Sequence, residues 1–467
     1  MSGPATRSFA GIAARRRLLA LGIGAAMVSA LAAFAPAAQA ASPPTTASPN
    51  AASVRAEVRA GNLLATHGVR KICAAANAHC LAQVVTTSTG STTALSSTTP
   101  LGYGATDLET AYHLPAAAST GANGTIAIID AGAYPLLESD LSVYRAQYGL
   151  PACTTASGCL KIMDLHGGPP LPPATDFLGQ LEEEDVAVET ALDMQMASAA
   201  CPGCKLVEIQ IPVGDGFVND DQPDLDAAMA DFGTAVNQAA TQGAAAVSMS
   251  YQYPSDTVVE FGQAGRDLFH PGMAVLASSG DGGFEGNLHT GWPQNLPWVT
   301  SVGGTSLFAA NAAGTKFSET AWSGAGSGCE TDLPAAIGQP PADAAFCGGH
   351  RANADVSAVA DPATGVAVYD TYAPFSGEPL NWIVVGGTSA SSPFIGGLYA
   401  RGGHTSQVIG PNTIYTAKKG AFTDVKLGQN APTNGCQSLG APVQLCQSGS
   451  GWDGPTGVGS PNGLAGF

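Results

Sequence analysis

The sequence predicts an α/β fold: a doubly wound, mostly parallel sheet with helices on both faces. Three observations predict it. Short apolar runs of strand length recur at residues 125–130, 205–212, 245–250, 274–279 and 298–302. Segments with helical spacing, near residues 181–200, 223–242 and 257–269, fall between them. The strand-like runs are apolar nearly throughout, the pattern of strands covered on both faces. No internal repeat period is evident.

The chain of 467 residues has room for one large domain, accessory segments and a sizeable core. It opens on a targeting pattern. Arg15-Arg16-Arg17 is a basic region, an apolar stretch runs from Leu18 to about Phe34, and Ala38-Gln39-Ala40 is a small-residue cleavage signal. Residues 1–40 are therefore expected to be a signal peptide, cut after Ala40. Arg15-Arg16-Arg17-Leu18-Leu19 also loosely resembles a twin-arginine signal, which leaves the export route open. No second apolar stretch is long enough to span a membrane. The expectation is a secreted, extracellular protein that is free of the membrane once the signal is removed. Residues 41–100 are rich in Ala, Ser, Thr and Pro, with one short helical patch near Ala56, and read as linker plus a short prosegment. Residues 101–467 are left as the main domain.

In the helix predicted at 181–200, Val188, Leu192, Met196 and Ala199 form an apolar stripe. Glu189 and Asp193, four apart, lie one turn from each other beside that stripe. Two carboxyls on a partly buried face cannot both ionise cheaply, so they share a proton and one pKa rises. Such a pair is a base and proton relay for acid conditions. Glu182-Glu183-Glu184-Asp185 directly precedes it, so a solvated acidic helix is the competing reading. Further on, Ala274-Val275-Leu276-Ala277-Ser278-Ser279-Gly280-Asp281 reads as a buried strand ending in a Gly-rich turn. In open α/β sheets the ligand crevice lies at the carboxyl ends of strands, which is where Asp281 falls. A protonated Asp there is a hydrogen-bond donor for an oxyanion, and an ordinary Asp-Gly turn is the alternative. Finally, Ile383-Val384-Val385 leads into Gly387-Thr388-Ser389-Ala390-Ser391-Ser392-Pro393, a strand handing over to a buried helix. Ser389 would then sit at a helix N-terminus, where free N–H groups favour developing negative charge. No His is followed by Gly-Thr, the usual setting of a subtilisin base, so a serine nucleophile here needs another base.

Composition narrows the partners. Hydrophobic residues make up 45% and charged residues 12%, with a formal net charge of -18. That charge repels nucleic-acid phosphates and suits a protein working in acid. Ten cysteines in an exported chain read as bridges. Their spacing pairs neighbours: Cys73–Cys80, Cys153–Cys159, Cys201–Cys204, Cys329–Cys347 and Cys436–Cys446. Cys201-Pro202-Gly203-Cys204 lacks a second Cys/His pair at zinc spacing, so a local disulfide is expected there. Near the C-terminus, Asp424-Val425 and Gly449-Ser450-Gly451-Trp452-Asp453 offer carboxylates and flexible carbonyls. That chemistry suits Ca²⁺, but taken alone the pattern reads first as plain Gly-rich turns.

Together these motifs resemble the sedolisin family of serine-carboxyl peptidases. The resemblance runs from about Leu101 to the C-terminus. It takes in Ala127-Ile128-Ile129-Asp130, Glu189-Thr190-Ala191-Leu192-Asp193, Ser278-Ser279-Gly280-Asp281 and Val302-Gly303-Gly304-Thr305-Ser306. It continues through Ser318-Glu319-Thr320-Ala321-Trp322-Ser323, Asp355-Val356-Ser357-Ala358-Val359-Ala360-Asp361-Pro362, the Ser389 motif and Gly449-Ser450-Gly451-Trp452-Asp453. The resemblance implies a subtilisin-like fold and a secreted, acid-acting peptidase on protein or peptide substrates, either an endopeptidase or a tripeptidyl-peptidase. It implies Ser389 as nucleophile, Glu189 as base, Asp193 as orienting acid and Asp281 as oxyanion donor. It also implies one Ca²⁺ ion held by the side chains of Asp424 and Asp453 and the carbonyls of Val425, Gly449 and Gly451. A monomer is expected.

Three departures stand out. Gly386-Gly387 replaces the family's usual Ser-Gly. Tyr251-Gln252-Tyr253-Pro254 stands where Ser-Trp-Gly is common, near the expected cleft. The prosegment is short for the family. The competing readings are a Ser-His-Asp peptidase using Asp130, His166 and Ser389, and an inactive sedolisin-like binding protein. His166-Gly167-Gly168-Pro169-Pro170 is a poor start for a helix carrying a catalytic His.

Overall fold

The structure, a computed structural model, describes residues 51–73, 79–116, 124–213, 222–254, 262–285, 290–311, 313–431 and 435–467. The expected signal peptide, residues 1–40, lies outside the described residues. So does the start of the helix expected at 257–269.

In chain order the elements begin with α1 (Ala51–Ala60), β1 (Gly68–Lys71), β2 (Gln83–Thr86), β3 (Ser96–Ser97) and α2 (Ala105–Ala111). There follow β4 (Thr125–Ala131), α3 (Leu137–Gln147), β5 (Leu160–Asp164), α4 (Phe177–Ala200), β6 (Lys205–Ile211) and α5 (Gln222–Thr241). Next come β7 (Ala246–Met249), α6 (Gln263–Asp267), β8 (Ala274–Ser278), β9 (Thr300–Ala309), β10 (Phe317–Ala321), β11 (Gly328–Pro334), β12 (His350–Asn353) and β13 (Val356–Val359). The last elements that position the site are β14 (Val366–Asp370), β15 (Asn381–Gly386) and α7 (Thr388–Gly402).

The large sheet has the order β10-β9-β8-β7-β4-β6-β5, with β13 beside β9. Every neighbouring pair from β5 to β9 is parallel, and only β10 runs antiparallel. This is the predicted doubly wound sheet, and its apolar strands are buried as their sequences require. Successive side chains alternate between two covered faces. On one face α7 comes so close that a Cβ on Gly396 would lie 2.9 Å from Ile126 Cδ1. On the other, α5 sets Phe232 against Tyr251, with ring centroids 5.2 Å apart, and Gln238 against Met163. The helix carrying Glu189 starts earlier than its apolar stripe indicated, because Asp176 caps it by accepting a bond from Gly179 N at 3.0 Å.

A second, antiparallel sheet with the path β1-β2-β15-β14 corrects the expectation for residues 41–100. The part described is no linker. Val54, Val58 and Leu63 enter the core, Val84 and Val85 are fully buried, and β2 pairs with β15 through Val84–Val385 and Gln83–Gly386. A Ser/Thr-rich composition hid a four-residue strand whose partner lies some 300 residues further along the chain. Long-range pairing of that kind leaves no periodicity in a short window.

All ten cysteines form the five local disulfides expected from their spacing. Among the described residues no helix is long and apolar enough to cross a membrane.

Candidate active site

Strand β15 delivers the chain to Gly387 at φ 110°, and α7 begins at the next residue. A Cβ on Gly387 would lie 2.3 Å from the Leu81 carbonyl oxygen, so the position demands glycine on both conformational and steric grounds. Ser389 is therefore the second residue of the helix, fully buried, among N–H groups that have no intrahelical partner. Its Oγ makes no formed hydrogen bond.

Glu189 and Asp193 are both fully buried on α4, so the solvated acidic helix is not what the fold builds here. Glu189 Oε2 accepts the Ala82 N–H at 2.8 Å, and Asp193 Oδ2 accepts the Ser250 hydroxyl at 2.6 Å. Glu189 Oε1 and Asp193 Oδ1 have no partner. Burial drives both carboxyls well above their usual range. For Glu189 the Ser389 hydroxyl is the largest opposing influence, while Asp130 pushes further upward; for Asp193 both Asp130 and Glu189 add to the rise. The Ser389 hydroxyl thus lies against Glu189 without the geometry of a completed bond. Such contacts tighten only when substrate is present.

Asp281 follows β8 and meets the start of α7. Its Oδ1 accepts both the Thr388 N–H and the Thr388 hydroxyl at 2.8 Å, and its Oδ2 accepts Gln83 Nε2 at 2.8 Å. Burial pushes it up to about 6 against those bonds. A carboxyl at that value is largely protonated in acid and ionised at neutrality.

His166 lies exposed in the turn after β5, where its charge is felt by Asp231 of α5. Asp130 is fully buried at the end of β4 and acts on Glu189 and Asp193 instead. The Asp130–His166–Ser389 alternative therefore has its base at the surface and its other members inside.

Sequence reasoning missed three parts of this site. Asp130 entered as the end of a resembling strand and as a member of the histidine alternative, with no place beside the Glu189–Asp193 pair. Glu208, a charged residue inside Lys205-Leu206-Val207-Glu208-Ile209-Gln210-Ile211, is fully buried, and that misfit within a core strand was the available signal. The third is the segment over the cleft. His79 to Gln83 runs antiparallel to Ser250-Tyr251-Gln252, with Leu81 N donating to Ser250 O at 3.2 Å and Gln252 N to His79 O at 2.8 Å. An exposed strand edge beside a nucleophile is where an extended peptide adds as a further strand. Here the chain's own residues take that edge, and Ala82 and Gln83 also bond Glu189 and Asp281.

At the C-terminal loops, Asp424 and Asp453 converge on one glycine turn. Gly451 N donates to Asp424 Oδ2 at 3.3 Å and Gly449 N to Asp453 Oδ2 at 3.0 Å. Asp424 Oδ1 is a buried oxygen without a partner, which fits a cation ligand. Among the described residues no three His, Cys, Asp or Glu side chains cluster as a metal site, so backbone carbonyls would have to complete the shell.

The chain is 31% identical to kumamolisin of a Bacillus species over 397 residues, covering 79% of this chain and 63% of that protein. It is 28% identical over 231 residues to tripeptidyl-peptidase sed5 of Aspergillus fumigatus, covering 41% of this chain and 37% of that one. Among solved structures, Pseudomonas sedolisin, a serine-carboxyl proteinase complexed with two molecules of pseudo-iodotyrostatin, matches with a TM-score of 0.55. The match is at 23% identity and covers 78% of this chain and 96% of that one. No protein-family model matches. A subtilisin-like α/β fold is thus the class of protein. Within it, the chain belongs to the sedolisin family. It spans less than two thirds of the length of kumamolisin.

Proposed function

We propose that the protein is a secreted, acid-acting serine-carboxyl peptidase that hydrolyses peptide bonds through an acyl-enzyme. The observation that carries this reading is the Ser389 hydroxyl lying at a helix N-terminus against a buried Glu189–Asp193 pair with which no described Lys, Arg or His forms an ion pair. Glu189 takes the Ser389 proton as Oγ attacks the peptide carbonyl, and Asp193 shares the resulting charge through a carboxyl–carboxylate hydrogen bond. Protonated Asp281 and the Ser389 N–H hold the tetrahedral oxyanion. The Glu189 proton then passes to the leaving amine, and water releases the acyl group by the reverse sequence. For Asp281 to donate to the oxyanion, its Oδ2 must carry a proton and Gln83, which now donates to that oxygen, must not accept it. Mass spectrometry of the protein mixed with an acyl-enzyme trap in acid should find the adduct on Ser389. Its absence, with every cleft residue intact, would favour an inactive binding protein.

The strand over the cleft bears on this reading. With His79–Gln83 on the substrate edge, the intact chain should hydrolyse peptides slowly and with a lag, and accelerate once that segment is cut. Full rate from time zero, with the intact mass preserved throughout, would contradict latency.

Calcium belongs to the same proposal. Asp424, Asp453 and the carbonyls of Val425, Gly449 and Gly451 would hold one ion, and a hard cation there would tie together loops 27 residues apart. The catalytic chemistry does not use it. Removing a ligand held at 100 times its Kd lowers stability by about 2.7 kcal/mol. Thorough chelation should therefore lower the melting temperature by several degrees. No shift, together with no calcium by metal analysis, would remove the site.

A further inference from the structure

The mechanism above leaves Glu208 unused. It is fully buried on β6, and neither of its oxygens has a hydrogen-bond partner. Strand register shows where it points. Asp130 on β4 pairs with Gln210 on β6, and Ile128 pairs with both Glu208 and Ser248. Glu208 and Asp130 are thus diagonal neighbours on adjacent strands, one pleat apart on the same face. That face is the one covered by α4 and α7, since Ser250, two residues beyond Ser248, bonds Asp193. Both oxygens of Asp130 also lack a formed hydrogen bond, with the Thr190 hydroxyl alone leaning toward it. Glu189 and Asp193 each leave one oxygen bare. Six bare oxygens on four fully buried carboxyls therefore lie between α4 and one face of the sheet.

No described Lys, Arg or His pairs with any of the four. Unpaired carboxylates in such a place cost several kcal/mol each, so the group holds protons and satisfies its oxygens internally. We infer that Glu208 is a proton-holding positioning residue at the far end of a buried carboxyl chain, Glu208–Asp130–Asp193–Glu189, donating toward Asp130 and so keeping the negative charge at the Ser389 end. Removing that donor weakens the support of the anion, and the Glu189–Asp193 pair then ionises at higher pH. The inference rests on the peptidase reading. The charge of Asp130 is felt by Glu208, and that of Glu208 by Asp193. From α4 the facing groups are Asp193 and Glu189, and from β4 Asp130. From β5 it is Asp164, whose Oδ1 is taken by the His166 and Gly168 N–H groups. Helix α5 packs on the opposite face.

Two variants of the full chain test this. Glu208→Leu removes the donor, whereas Glu208→Gln keeps an N–H donor in a similar volume. The acid limb of kcat/KM should move upward by about one pH unit in Glu208→Leu, a tenfold loss on that limb, and by much less in Glu208→Gln. A merely structural residue would change the melting temperature and leave the limb in place. An unmoved limb, or equal shifts in both variants, overturns the proposal. Infrared absorption of protonated carboxyls supplies a readout without turnover. In a Ser389→Ala background, that band should persist at neutral pH and lose intensity on adding Glu208→Gln. An unchanged band overturns the proposal even if Glu208→Leu does not fold. If wild type and Ser389→Ala hydrolyse peptides equally, the peptidase reading fails by itself, and the infrared result still decides the placement of the proton.

Discussion

Ser389→Ala and Glu189→Gln should each lower kcat by on the order of 10³-fold or more, and the double variant should fall little further. The reason is structural. The Ser389 hydroxyl lies against Glu189 within a fully buried site, so on the proposed mechanism the two fail together. Asp193→Asn should cost less, because Glu189 keeps the Ala82 N–H on Oε2. His166→Ala should leave kcat/KM within a factor of two, since that imidazole is exposed beside Asp231. Single-turnover kinetics on the four single variants and the double variant would check this. Activity lost in His166→Ala but kept in Glu189→Gln would replace the carboxylate pair with a histidine triad.

The second large effect is that of pH, on both rate and stability. Asp281, pushed up to about 6, is a donor only below that value. The rate should therefore fall toward neutrality as Asp281 ionises and the Glu189–Asp193 pair loses its shared proton. Stability should move the same way. Burial also raises Glu285 and Asp370 to about 7 and Asp130 to about 8. In the unfolded chain these carboxyls titrate near about 4. The folded state thus binds more protons between the two values, and ∂ΔG/∂pH is negative there. Their contribution is fully present below about pH 4 and is lost as pH rises through the folded values, at about 1.4 kcal/mol per pH unit for each group in its window. Calorimetry from pH 4 to 8 should show a melting temperature that falls steadily. A melting temperature that rose toward neutrality would mean that these buried carboxyls meet donors the fold does not display.

Much of this was legible in the order of residues. The parallel sheet followed from apolar runs alternating with helical segments, because strands buried on both faces carry no polar alternation. Glu189 and Asp193 fell on one side of α4 because helical geometry puts residues four apart one turn apart. The helix start beside Ser389 was legible from a strand, a glycine pair and a small-residue helix. Neighbouring cysteines paired because short loops bring few alternatives within reach.

Other features depended on contacts between distant segments. A Glu-x-x-x-Asp spacing is the same on a solvated helix and a buried one; only the packing of α4 beneath α7 and β4 took these carboxyls out of water and raised their pKa values. Asp130 and Glu208 joined them through strand register, which no local window contains. Val84 and Val85 look unremarkable in a Ser/Thr-rich stretch until β15 supplies the partner that turns them into a core strand and carries Ala82 and Gln83 onto Glu189 and Asp281. Chain order alone picked out Ser389, Glu189, Asp193 and Asp281 as groups suited to chemistry, and the helix or strand that bears or precedes each. Tertiary structure decided which of them lose solvent, since desolvation and hydrogen bonding depend on neighbours that chain order does not specify.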